Sequence, residues 1–110
     1  MHIDIHAKNV ELNASLRAFI EEKIGDLGRL FREDQEAKAK VEVGLPSQHH
    51  QSGPKFYAEA NLMIAGELLR AEATHHDLHS AIVDVKEDLK MQISRLKERW
   101  NDAVRKPSVE

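Results

Sequence analysis

Cysteine is absent from the 110 residues, which removes disulfides and thiolate metal sites from consideration. That fits a reducing compartment. Aromatic side chains make up only 5% of the chain, as Phe19, Phe31, Phe56, Tyr57 and Trp100. A base-stacking platform built from several exposed rings is therefore hard to assemble. No apolar run approaches the length needed to cross a bilayer. The opening residues Met1-His2-Ile3-Asp4-Ile5-His6 alternate in polarity and lack the charged start and continuous apolar stretch of a secretory signal. The expected location is the cytoplasm, with no membrane partner. Also missing are a nucleophile elbow, a phosphate-binding glycine loop and a metalloprotease helix motif. Carboxylates are scattered rather than paired. The chain is therefore read as a non-enzyme, with no catalytic residue and no cofactor.

What the chain does have is charge, unevenly placed. Charged residues are 32% of the total and the net charge is −3. Yet residues 86–106 carry seven Lys/Arg against four Asp/Glu. A basic stretch in an acidic chain points to one cationic surface, and polyanion binding is the first function to test. An ordinary solvated helix face is the simpler account. Apolar residues are 41%, enough for one domain with one modest core.

Hydrophobic periodicity sets out the elements. Ile3 and Ile5 alternate with Asp4 and His6, predicting a half-buried strand over 2–7. Leu16, Ile20, Ile24, Leu27 and Phe31 recur at offsets of three and four, predicting an amphipathic helix over 14–32 with Asn13 or Ser15 as its cap. Gly25 and Gly28 weaken that helix by about 1 kcal/mol each relative to Ala. Residues 33–37 read as a loop. Val41, Val43 and Leu45 mark a second strand near 38–45, and a loop runs from Pro46 to Pro54. Phe56, Ala58, Ala60, Leu62 and Ile64 form one face of a third strand. Ala65-Gly66 is a tight turn, and Leu69, Ala71 and Ala73 continue in a fourth strand. Leu78, Ile82, Val85, Leu89, Ile93, Leu96 and Trp100 then mark the apolar stripe of a final helix over 77–106, capped by Thr74 or Asp77. The fold class is α+β, in the order β-α-β-β-β-α, a four-stranded sheet with two helices packed on one face. The last helix would run about 45 Å, while ordinary strands cover about half of that. Its end is expected to project or to pack only partly. Residues 107–110 read as a short disordered tail.

At 100° per residue, Lys86, Lys90 and Lys97 fall within roughly 40° of one another, on one side of the final helix's apolar stripe. Arg95 and Arg99 flank the other side. Such flanks could straddle a phosphate-rich groove, or serve only pairing at i,i+4 and snorkelling around the core. The first helix adds Arg17, Lys23, Arg29 and Arg32, diluted by Glu21, Glu22 and Asp26. Lys8 stands at the strand-to-helix junction. Seven histidines raise a metal site. His75 and His79 are four apart and would suit one metal if both were helical. No third ligand is evident, and a capping turn with solvated imidazoles explains them as well.

Three stretches together resemble a known family. They are Lys8-Asn9-Val10-Glu11-Leu12 with Leu16-Arg17 and Lys23-Ile24-Gly25-Asp26-Leu27; then Leu69-Arg70-Ala71-Glu72-Ala73; then Asp77-Leu78 with Ala81-Ile82, running into Leu89-Lys90-Met91-Gln92-Ile93 and Arg95-Leu96-Lys97. In this order and spacing the chain resembles the ribosome hibernation factors, also called the ribosome-associated inhibitor or sigma-factor modulation family. The resemblance implies a shape like that of double-stranded RNA-binding domains, with residues 1–106 as a single ribosome-binding domain. It implies binding to ribosomal RNA in the cleft of the small ribosomal subunit, where mRNA and tRNA are blocked and translation is inhibited in stress or stationary phase. Lys8, Arg17, Lys23, Arg29, Arg95 and Lys97 match basic positions of the family. Lys86, Lys90 and Arg99 are further RNA-binding candidates, offsetting only in part Glu22, Asp26, Asp88, Met91 and Ser94, which stand where relatives often have Lys or Arg and so reduce the expected number of phosphate contacts. The chain resembles the family's short class and is expected to be a monomer. Dimerisation of ribosomes with a helper factor remains open. A second reading keeps the fold but not the ribosome: a protein-interaction module, motivated by the acidic net charge and the missing lysines.

Overall fold

The computed structural model describes residues 1–32, 35–46 and 55–105, with side chains through residue 102. Strict alternation produces four strands: β1 (His2–Lys8), β2 (Ala37–Gly44), β3 (Phe56–Ile64) and β4 (Glu67–His75). Helix α1 (Ala14–Gly25) joins β1 to β2, and α2 (Leu78–Arg105) follows β4. The sheet order is β1-β2-β3-β4. The first pair is parallel and the other two are antiparallel. A parallel neighbour needs a crossover connection, which α1 supplies. The β3–β4 hairpin turns on Ala65 and Gly66, both at positive φ (49° and 82°), as a two-residue hairpin of right-handed twist requires.

Both helices cover the same face of the sheet. Beneath them lie Ala39, Val41, Val43, Ala58, Ala60, Leu62, Ile64, Leu69 and Ala71. Above lie the stripes predicted from periodicity, Leu16, Ile20 and Ile24 of α1 and Ile82, Val85, Leu89, Ile93 and Leu96 of α2, all buried. Ala60 pairs with Ala71, and Ala58 with Ala73. These short side chains let α2 settle close to the β3–β4 backbone. No polar or charged side chain is buried among the described residues, so the core is held by apolar packing alone.

Each helix start uses one of its two expected caps. The Asn13 side chain accepts from the Leu16 amide at 2.8 Å. The Asp77 carboxylate accepts from the Ser80 amide at 3.2 Å and the Ser80 hydroxyl at 2.8 Å. These bonds hold the Asp77 carboxyl below its ordinary pKa.

Two expectations change. The helix predicted over 14–32 ends as α-helix at Gly25 and tightens into a 3-10 helix over Asp26–Leu30. Gly25 and Gly28 supply little α propensity there, and a 3-10 turn is a common way to finish a helix. The tightening keeps Leu27 in the core and packs Leu30 and Phe31 against it. The second change concerns α2, which stays seated for longer than expected. β3 and β4 run nine residues each, about 30 Å. They support α2 from Leu78 to Trp100, which packs half-buried against the core, a span of about 33 Å. Most of the loop predicted between Pro46 and Pro54, and the tail at 107–110, lie outside the described residues.

Candidate polyanion interface on the helical layer

The open face of the sheet is a poor phosphate surface. The register aligns His6, Glu42, Glu59 and Glu72 in one row across all four strands. Arg70 bonds Glu59 and lies 3.9 Å from Glu72, which offsets part of that row. The Tyr57 hydroxyl donates to Glu42 at 2.5 Å. Its pKa is pushed up to about 12, by burial first and then by that carboxylate. Lys38 and Lys40 share this face on β2, but a polyanion laid across it would meet the glutamate row.

The helical layer is different. Lys86, Lys90 and Lys97 lie on the flank of α2 turned toward α1. Two contacts fix that orientation. The Lys86 ammonium donates to Asp26 at 3.0 Å, and His79, on the same flank, meets the Phe19 ring edge-on at 4.4 Å. From the α1 side, the Lys23 ammonium stands 5.4 Å over the Phe19 ring, and Arg29 follows in the 3-10 helix. Five of the nine candidate RNA-binding residues thus border a single seam. Asp26 is the carboxylate bonded into it, holding Lys86 and, at 2.9 Å, Arg29. The Lys86 side chain is only 18% exposed, whereas Arg29 is 79% exposed. Lys90 and Lys97 are exposed and have no ion-pair partner among the described residues.

The other four candidates lie elsewhere. Arg95 and Arg99 occupy the opposite flank of α2, over the β4 edge. There Gln92 donates to the Arg70 carbonyl oxygen at 2.8 Å, satisfying an edge-strand group. Arg99 lies 3.9 Å from Glu67, and the Arg95 guanidinium rests 3.4 Å from the Met91 sulfur. Helical rotation places Asp84, Asp88 and Asp102 along this same flank. The two arginines share a hollow with Glu98 and Asp102. Lys8 ends β1. Arg17 lies about 120° around α1 from Lys23, away from α2.

The metal reading loses its geometry. His75 is the last residue of β4 and His79 lies inside α2, so the helical i,i+4 spacing does not exist. His75 Nδ1 instead accepts from the Asp77 amide at 3.1 Å. Among the described residues no group of three or more ligand-type side chains comes together.

Sequence reasoning named Asp26 as a dilution of the basic charge but missed that it binds Lys86, sixty residues away. No sequence signal carries that pairing. Lys86 first, with Arg29, holds the Asp26 carboxyl below its ordinary 3.8, against the opposing effect of desolvation. A lowered carboxylate pKa stabilises the fold above the ordinary value, and that contribution is lost as pH falls through the lowered one. Asp26→Asn should therefore flatten the stability loss below about pH 4, read as urea midpoints at pH 3 and pH 7. It should also release Lys86 and Arg29 and tighten polyanion binding, with a steeper salt dependence.

A small α+β module, with a cationic seam between two helices on one face of its sheet, is the class that these features define. The comparisons with known proteins give the family. Residues 3–101 match the family described as sigma 54 modulation protein / S30EA ribosomal protein, and the chain belongs to that family. It is 35% identical over 104 residues to a ribosome hibernation promotion factor of Lactococcus lactis, covering 94% of this chain and 52% of that protein. It is 32% identical over 101 residues to one of Staphylococcus aureus, covering 92% and 50%. The chain thus spans about half the length of these two relatives. The N-terminal domain of Protein Y from Thermus thermophilus shares the fold with a TM-score of 0.74 and 30% identity, over 87% of this chain and 99% of that one. A ribosomal subunit interface protein from Coxiella burnetii matches in fold with a TM-score of 0.71 at 21% identity, over 89% and 99%. The family is one of non-enzymatic factors. No helix among the described residues is long and apolar enough to cross a membrane.

Proposed function

We propose that the chain is a ribosome hibernation factor. It binds the cleft of the small ribosomal subunit at the decoding region, excludes mRNA and tRNA, and holds translation off in stress or stationary phase. It acts in the cytoplasm, where the ribosomes are. Two relatives carry the hibernation name. The observation that carries the reading is the α1–α2 seam, where Lys90 and Lys97 stand exposed beside Lys23 and Arg29. Steric occupancy needs position rather than sequence readout, and phosphate contacts supply position. The glutamate row on the open sheet face argues for the helical layer as the docking side.

Sedimentation of the purified chain with small subunits tests this reading. Co-sedimentation at low salt that fades as salt rises is the expected result, since released counterions drive phosphate binding. Failure to co-sediment even at low salt removes the proposal. The acids beside Arg95 and Arg99 favour a second reading, a protein-interaction module of the same fold. A protein partner retained from nuclease-treated lysate, with ribosomal components absent, would select it.

A further inference from the structure

The cationic seam ends in a depression of about 410 Å³ between the 3-10 helix and the last turns of α2. Leu30, Phe31 and Trp100 wall it, and Arg29 and Lys97 stand on its rim. Both rings pack against the core on one side and are only half-buried, so each keeps some surface open. The amide of Gln35 also lines the site, with its oxygen accepting from the Arg32 amide at 3.1 Å. That bond orients the side chain.

The charge of this depression is distinctive. Its described lining contains no carboxylate, and Glu33 and Asp34 lie outside the described residues. The depression over the β4 flank includes Glu98 and Asp102. Those on the open sheet face include Glu59 with Glu72, and Asp4 with Glu42. In a chain with net charge −3, a hollow with cations on its rim and aromatic walls suits an anionic ligand with a flat, apolar part. A nucleotide has both. Bases out of helical stacks are held on aromatic faces and beside guanidinium or ammonium groups. The volume falls within the range of sites that enclose a small organic ligand.

We infer that this depression receives one unstacked nucleotide of single-stranded RNA, with its base against Trp100 and Phe31 and its phosphate between Lys97 and Arg29. RNA is chosen over a free nucleotide because the hollow continues the seam, so a strand laid along Lys90 and Lys97 ends in it. The inference rests on the proposed polyanion role of that seam and gives it a base-binding subsite. It needs one pocket rather than the multi-ring platform that the scarcity of aromatics disfavours.

Trp100 is the only tryptophan, so its emission reports this site alone. The whole chain would be titrated with an oligoadenylate RNA hexamer, an abasic hexamer carrying the same phosphates, and adenosine monophosphate. The expected result is saturable quenching by the RNA, with at least about fivefold weaker binding and no quenching by the abasic strand. Adenosine monophosphate should quench only at much higher concentration. By anisotropy of a labelled hexamer, Trp100→Leu should weaken binding about tenfold and Trp100→Phe much less, because the latter keeps a ring. Equal binding by the abasic strand would overturn the inference, since phosphates alone would then suffice. Equal affinity for adenosine monophosphate would overturn it in favour of a free-nucleotide site. Co-sedimentation with small subunits, run in parallel, separates the two proposals. Subunit binding without quenching by RNA removes the pocket alone. Quenching without subunit binding removes the hibernation role and leaves the pocket.

Discussion

Reversing Lys90 and Lys97 together to glutamate should lower affinity for the small subunit by about a hundredfold at moderate salt. Each reversal deletes one phosphate contact and adds one repulsion. The slope of log affinity against log salt should fall by roughly 0.7–0.9 per lost contact. The fold should survive, because both side chains are exposed and neither bonds another residue among those described. Such surface changes usually shift stability by less than about 0.5 kcal/mol. Arg95→Glu with Arg99→Glu is the control on the opposite flank. Its loss should be much smaller, since those guanidinium groups already stand beside Glu67, Glu98 and Asp102. Sedimentation at several salt concentrations, with thermal melts of each variant, reads all of this. Equal losses from the two pairs would move the interface to the β4 side, and no loss from either would eliminate phosphate gripping by α2. A combined reversal of Arg95 and Lys97 should also lower affinity, through Lys97, but it mixes the two flanks.

Gly44→Ala should lower stability by about 3 kcal/mol, the upper end of the usual cost of overpacking. Gly44 is buried at the end of β2, beside Lys8 in the parallel register. A Cβ there would press on the Lys8 carbonyl oxygen and lie 3.0 Å from the Tyr57 ring and hydroxyl. The backbone cannot yield easily at this point. Leu45 donates to that same Lys8 carbonyl at 3.1 Å, and the Asn9 side chain donates to the Leu45 carbonyl at 2.9 Å. Asn9 itself sits at a φ of 63°, a region that asparagine tolerates better than most residues. Gly25→Ala should do the opposite, raising stability by about 0.5–1 kcal/mol. Its φ is −62°, and an added Cβ would meet only Ile3 Cδ1, at an ordinary 3.8 Å. At about 4 °C per kcal/mol for a domain of this size, the two melting temperatures should separate by roughly 15 °C. A Gly44→Ala melt matching the unsubstituted chain would show that the β1–β2 junction is soft.

The two glycines illustrate where sequence reading stops. Gly25 and Gly28 looked consequential because they interrupt a helical stripe, yet Gly28 has only the tip of Met1 near an added Cβ, at 3.8 Å. Gly44, in a short alternating run, gave no sign of its importance. Its constraint comes from Lys8 and Tyr57, which are distant in sequence. The elements themselves were legible because alternation and the offset of three to four are local properties of the chain. The Ala65-Gly66 turn and both helix caps were legible for the same reason. Family membership was legible in the order and spacing of three stretches.

For the candidate site, the division falls at the same boundary. Periodicity alone put Lys86, Lys90 and Lys97 on one flank of α2 and Arg95 and Arg99 on the other, because rotation per residue is a constant of the helix. Which flank meets α1, and which overhangs β4, depended on how two apolar stripes share one sheet face, and the folded chain alone decided it. Tertiary structure also chose the partner of Asp26 and joined Phe31 and Trp100 into one hollow. Coulomb attraction and van der Waals contact act over a few ångströms of space, whatever the separation along the chain.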